Sequence, residues 1–231
     1  FLIMGVVMAV VIGVGSLFFR LPPPAAPTQG AQSAGGPDIP PARMVRTPSF
    51  WCFFLWAVLI SGIGLAGISQ AKPFASQVGP GVDAGVITLV VGFISICNGL
   101  GRVLFGGLFD KLGWKLTMTA VNVVSLAGVL ILMAALFTHS FPLVVAGFIV
   151  TGLGYGGAPT MGSAVISSFF GQKNYPVNFS ISNMNLLVAS FAGTAAGALY
   201  DASQSYVSTL VALAVCSVVA FAVMLCIRRP K

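Results

Sequence analysis

Long apolar runs separated by short polar breaks account for most of the chain. A helix needs roughly 20 apolar residues to cross a hydrocarbon core of about 30 Å. Seven runs reach that length: Phe1 to Phe19, Pro48 to Gln70, Ala84 to Phe109, Leu116 to Phe137, Pro142 to Phe170, Val177 to Leu199 and Tyr206 to Ile227. Strands of a membrane barrel would alternate apolar and polar positions over about ten residues. These runs are continuous and longer, so their backbone groups must be satisfied within each segment. The pattern predicts an all-α, polytopic transmembrane helix bundle of seven spans.

The stretch between the first two runs, Arg20 to Thr47, holds Pro22, Pro23, Pro24, Pro27, Pro37, Pro40 and Pro41 among Ala, Gly, Ser and Gln. That composition cannot bury a core and predicts a flexible linker. Thr47-Pro48 has the form of a helix start, with Thr as cap and Pro in the first turn. The predicted organisation is a helix over 1–19, a Pro-rich linker over 20–47, a six-helix unit over 48–227 and a basic tail over 228–231. The chain opens on Phe1 inside an apolar run, without the basic segment and cleavage site of a signal peptide. Residues upstream, including an N-terminal half of the same protein, are therefore expected to be missing.

Composition strengthens this picture. The chain is 57% hydrophobic and 6% charged, against about 25% charged residues in soluble domains. A soluble fold could not cover so much apolar surface, so the expected partner of that surface is the lipid bilayer. The net charge is +7, but the basic residues lie between apolar runs and form no patch, which excludes nucleic acid as a partner. With seven spans, Arg20, Arg43, Arg46, Lys111, Lys115, Lys173, Arg228, Arg229 and Lys231 all fall on one side. The positive-inside rule then makes the linker and C-terminus cytoplasmic, in a multi-pass protein of the plasma or inner membrane. Cys52, Cys97, Cys216 and Cys226 lie in apolar runs without a C-x-x-C pair and are read as small buried hydrophobes.

The acids are Asp38, Asp83, Asp110 and Asp201, and His139 is the single histidine. No metal site and no cofactor are expected from so sparse a set. An enzyme would need clustered acids, histidines or a nucleophile pair at one depth, and a channel a charged or carbonyl ring. Neither pattern is present. Span five reads Gly152-Leu153-Gly154-Tyr155-Gly156-Gly157. It lacks the preceding strand and following acid of a dinucleotide site and is read as a flexible, close-packed or broken helix.

Two spans end alike. Gly106-Gly107-Leu108-Phe109-Asp110 closes span three and Ala196-Gly197-Ala198-Leu199-Tyr200-Asp201 closes span six, on opposite sides of the membrane. A three-helix unit repeated with inverted topology, spans two to four against five to seven, would produce this pairing.

The loop after span three, Gly106-x-x-x-Asp110-Lys111-x-Gly113-x-Lys115, resembles the loop signature of the major facilitator superfamily. It departs from that signature at Trp114, where the family often has a basic residue. Arg46-Thr47-Pro48-x-Phe50-Trp51, Ile68-Ser69-Gln70-Ala71-Lys72-Pro73, Asn98-Gly99-x-Gly101-Arg102 and Gly171-x-Lys173-Asn174-Tyr175 resemble the oxalate/formate antiporter-like branch, akin to monocarboxylate carriers. The resemblance implies a twelve-helix carrier of which the sixth to twelfth helices are present, a six-helix half plus one preceding helix. It also implies a gating role for Gly106, Asp110, Lys111, Gly113 and Lys115, with Asp110 facing a helix N-terminus of the other half. The alternative is a plain solvated turn.

Arg102 is the leading candidate for substrate contact. It lies ~8 Å from the midpoint of span three, at ~1.5 Å rise per residue. A guanidinium inside the membrane costs at least ~2.5–3.5 kcal/mol on insertion scales. A paired acid, a watery cavity or an anionic substrate must offset that cost, and no acid of the chain is expected at its depth. Thr88, Ser95, Asn98 and Arg102 fall within an arc of about 80° on this helix. A fork of donors suits a carboxylate. The alternatives are snorkelling to the interface and pairing with an acid upstream of Phe1. In span six, Asn178, Ser182 and Asn185 share one arc, and Asn183, Ser190 and Thr194 another. Polar side chains there must face a cavity or other helices. The candidate substrate set is Arg102, Asn98, Tyr155, Ser182, Asn183 and Asn185. Oxalate-type members of the resembled branch are expected to carry a lysine in span six, where this chain has Ser182-Asn183-Met184. One positive charge fits a monocarboxylate. The rival expectation is a carrier of a neutral or amphipathic solute, with Arg102 structural.

Overall fold

The computed structural model describes residues 2–16, 18 and 38–230. It divides into two units, Phe1–Ser33 and Ala34–Lys231. The first unit contains α1 (Leu2–Ser16), a helix of 15 residues whose Val6, Val7, Val10, Val11 and Ile12 are exposed. At ~1.5 Å per residue it is shorter than a full crossing. Residues 1, 17 and 19 of the expected first span, and residues 20–37 of the expected linker, lie outside the described residues.

The second unit is helical, with no strand among the described residues: α2 (Pro41–Met44), α3 (Pro48–Val78), α4 (Ala84–Thr138), α5 (Phe141–Phe170), α6 (Tyr175–Asn183), α7 (Asn185–Ser203) and α8 (Tyr206–Leu225). Of these, α3, α4, α5 and α8 are long and apolar enough to cross a membrane. Thr47 caps α3 as its sequence predicts, accepting the Phe50 N–H at 3.3 Å, with Pro48 in the first turn. Asp83 does the same for α4, accepting from Gly85 at 2.8 Å and Val86 at 3.3 Å.

α4 is 55 residues long, too long for one crossing, and its backbone departs from helix at Gly113 (φ 76°, ψ 177°). That region of backbone space is open essentially to glycine alone. The two legs on either side of it run in opposite directions along α5. Ascending α5, Gly147 packs on Leu132, Gly154 on Ser125 and Gly157 on Val121, a descending series on the second leg. Gly152 packs on Ile94, and Gly156 on Asn98 and Arg102, an ascending series on the first. The two legs are the third and fourth predicted spans. The same contacts explain the glycine run of α5: it lets three backbones approach closely, as small residues do between membrane helices.

The sixth predicted span is broken at Met184 into α6 and α7. The Asn185 side-chain amide donates to the Ser182 carbonyl at 2.6 Å across the break. The two three-helix sets are joined by matching contacts. The Arg102 carbonyl accepts from Thr160 Oγ1 at 3.4 Å, and the Gly193 carbonyl accepts from Gln70 Nε2 at 3.4 Å. Arg102 stands as far before Asp110 as Gly193 stands before Asp201, so the contacts obey the inverted repeat.

The start of α3, the Gly113 turn, the end of α5 and the tail after α8 meet at one end. Ser49 donates to the Arg228 carbonyl. The Arg229 guanidinium lies 5.7 Å from the centre of the Phe169 ring, and Trp114 meets that ring edge-on at 5.2 Å. Arg43, Arg46, Lys111, Lys115 and Lys173 belong to the same end.

Two expectations are corrected here. The Pro-rich stretch 20–47 is not flexible linker throughout: from residue 38 it is packed, with Ile39 and Met44 buried. Pro40 and Pro41 start a one-turn helix rather than prevent one, since proline suits the first helical turn. Cys97 is buried, but Cys226 is exposed at the end of α8, so the four cysteines do not share one environment.

Candidate functional site

Arg102 opens into a cleft of about 470 Å³ bounded by the first leg of α4, by α5 and by α6. Arg102, Gly106 and Asp110 line it from α4, Thr160 and Ser163 from α5, and Phe179 from α6. The spacing explains the grouping: residues four apart on a helix stack on one face. Thr160 Oγ1 bonds its own helix at the Gly156 carbonyl (3.0 Å) and the neighbouring helix at the Arg102 carbonyl. Tyr175 of α6 donates its hydroxyl to Ser163 Oγ at 3.2 Å and stacks on Phe179 with ring centres 5.4 Å apart. The cleft thus has a cationic group, hydroxyls and one aromatic wall.

Asp110 lies on the same face as Arg102, about 12 Å further along the helix at ~1.5 Å per residue. Asp110 is thus not at the depth of Arg102, in keeping with the expectation, but it lines the same cleft. Depth counted along one helix missed that a cleft spans several turns.

The other candidate residues sit elsewhere. The Asn98 carbonyl lies in the seam between α4 and α5, against Gly156, and its Oδ1 is buried without a partner. Tyr155 lays its ring on Gly64 of α3. Ser182 and Asn185 are buried, Asn185 against α3, where Ser61 Oγ donates to its Oδ1 at 3.5 Å. Asn183 is half-buried beside the break at Met184. None of these five lines the Arg102 cleft. Thr160, Ser163 and Phe179 line it instead, with Tyr175 stacked on Phe179. The available signal was the Thr160-x-x-Ser163 spacing next to Pro159, on the one helix read mainly for its glycines.

Comparison with known proteins decides the family. The family model described as Major Facilitator Superfamily matches residues 1–133 and 80–231. The chain belongs to the Major Facilitator Superfamily. The family is one of transporters, not of enzymes, and with these apolar helices its member is an integral, multi-pass membrane protein. The chain is 27% identical over 229 residues to the oxalate:formate antiporter of Oxalobacter formigenes, covering 96% of this chain and 52% of the relative. It is 27% identical over 194 residues to YhjX, an uncharacterised MFS-type transporter of Escherichia coli K12, covering 82% of this chain and 46% of the relative. The chain spans about half the length of these relatives.

Within this superfamily member the loop Gly106 to Lys115 has a clear geometry. Gly106 and Asp110 face the cleft, Gly113 makes the reversal, and Lys111 and Lys115 are exposed at the basic end. Trp114, the departure from the loop signature, is an anchor. It packs on Phe169 and carries the Lys115 ammonium 5.4 Å from its ring centre.

Proposed function

We propose that this chain forms one half of a secondary carrier for a small organic anion, a monocarboxylate by its single deep cation. It works by alternating access against a second half of the same protein. The observation that carries the reading is the Arg102 guanidinium on a 470 Å³ cleft lined by the hydroxyl-bearing Thr160 and Ser163. A planar fork of N–H donors matches a carboxylate, and the hydroxyls can bond its remaining lone pairs. Superfamily carriers bind substrate near the bilayer midplane between their halves, where an open wall of this kind is required. The relative named as an oxalate:formate antiporter supports exchange of carboxylates. The basic end is the cytoplasmic one by the positive-inside rule, and Asp110, at the mouth of the cleft on that side, serves the gate together with Gly106, Lys111, Gly113 and Lys115.

Asp110 in the same cleft favours a second reading: it serves as the countercharge of Arg102, and the solute is neutral or amphipathic. Uptake of labelled formate and oxalate into proteoliposomes separates the two. Arg102→Gln should raise the KM for the carried anion at least tenfold, equivalent to ~1.4 kcal/mol, with Arg102→Lys intermediate. An unchanged KM in Arg102→Gln removes Arg102 as the anion contact.

A further inference from the structure

The Gly171-x-Lys173-Asn174-Tyr175 stretch finds no use in the cleft itself, yet its backbone is specialised. Gly171 has φ 83° and ψ 176°, and a Cβ there would strike the Asp38 carboxylate and stand 2.9 Å from the Asp38 Cα. The turn is shaped to admit Asp38, a residue of the Pro-rich stretch. Three hydrogen bonds then fasten that residue and the next. The Lys173 N–H donates to Asp38 Oδ1 at 3.0 Å, the Ile39 N–H donates to the Phe170 carbonyl at 2.9 Å, and Asn178 Nδ2 donates to the Ile39 carbonyl at 3.0 Å. Asn178 is completely buried beneath this strap.

Asn178 belongs to α6, the nine-residue helix that also carries Tyr175 and Phe179. Phe179 is the aromatic wall of the Arg102 cleft and Tyr175 stacks behind it, and Met184 separates α6 from α7. α6 is thus fastened by the strap at its start and runs into α7 through a tighter turn at Met184, whose backbone stays helical. We propose that Asp38 is a positioning residue: by holding the α5–α6 turn it sets where Phe179 and Tyr175 stand, and so how open the cleft is toward the basic end. The inference requires the cleft, not the identity of the solute, and its test needs no transport.

The test is thiol labelling of a Phe179→Cys, Cys226→Ser variant in inside-out membrane vesicles with an impermeant maleimide, read peptide by peptide, with the buried native Cys97 as the internal reference for general loosening. Adding Asp38→Ala should raise labelling at position 179 at least fivefold and leave Cys97 unchanged. Asp38→Asn, which keeps an oxygen to accept the Lys173 N–H, should restore the parental rate. Asn178→Ala, which cuts the strap at Ile39, should reproduce the Asp38→Ala pattern. Unchanged labelling at 179 in both variants, or a parallel rise at Cys97, overturns the positioning role. Failure of both variants to accumulate in the membrane would assign the strap to folding and overturn it as well.

Discussion

The backbones of Gly101 and Gly156 touch: a Cβ built on Gly156 would stand 2.9 Å from the Cα of Gly101 and also collide with the Asn98 carbonyl oxygen. The first leg of α4 and α5 are held at this separation beside Arg102 itself. Gly156→Ala should therefore destabilise the protein by about 1–3 kcal/mol, the usual cost of overpacking. Gly107, which has open space around it, is the control: Gly107→Ala should be neutral or stabilising by ~0.5–1 kcal/mol. Thermal unfolding of the two variants in detergent reads the contrast.

Gly113 is required for a different reason. Nothing lies within 4 Å of a Cβ built there, but its φ is +76°. The cost of replacement is one of backbone strain, about 1–3 kcal/mol, and should not depend on side-chain size. Gly113→Ala and Gly113→Ser should lower the unfolding temperature equally, whereas a steric site would penalise the larger residue.

Trp114 replaces a basic residue of the superfamily loop by a contact with Phe169. Such aromatic pairs contribute about 0.5–1.5 kcal/mol beyond buried area. Trp114→Ala should lower stability by about 1–3 kcal/mol and loosen the basic tail, whose Arg229 lies over the same ring. Faster proteolysis after residue 225, alongside a lower unfolding temperature, would register both effects.

At the opposite end of the bundle, Tyr206 donates its hydroxyl to Gln70 Oε1 at 3.2 Å, while Gln70 Nε2 reaches the Gly193 carbonyl. Tyr206→Phe should cost ~1 kcal/mol, the net worth of one such bond. Gln70→Ala should cost more, because it orphans both partners. The double variant should fall short of the sum, since the two residues share one network. The KM for the carried solute should stay at its parental value in Tyr206→Phe, because Tyr206 is remote from the Arg102 cleft.

Much of the architecture could be read from the chain because a lipid environment imposes one coarse rule, length of apolar run, and the runs are unambiguous. The loop signature and the matched endings at Asp110 and Asp201 supplied the order of the spans. The site was less legible. Arg102 and Asp110 were found because charge is rare in such helices, and their shared cleft follows from four-residue spacing. Ser182, Asn185 and Tyr155 were read as cavity residues by polarity alone. Polarity does not distinguish a wall facing a cavity from a seam between helices, which depends on how far each helix is rotated. The packing of residues 38–47 was masked by proline content, which in this case marks a helix start and not an unstructured stretch.

The glycine seams on both sides of α5 have a mechanical consequence. With α5 toothed into two antiparallel legs at once, a slide along either leg would drive carbonyl oxygens into α-carbons on the other. The two legs and α5 therefore travel as a single block, and any rearrangement within this half is a movement of the other helices against that block.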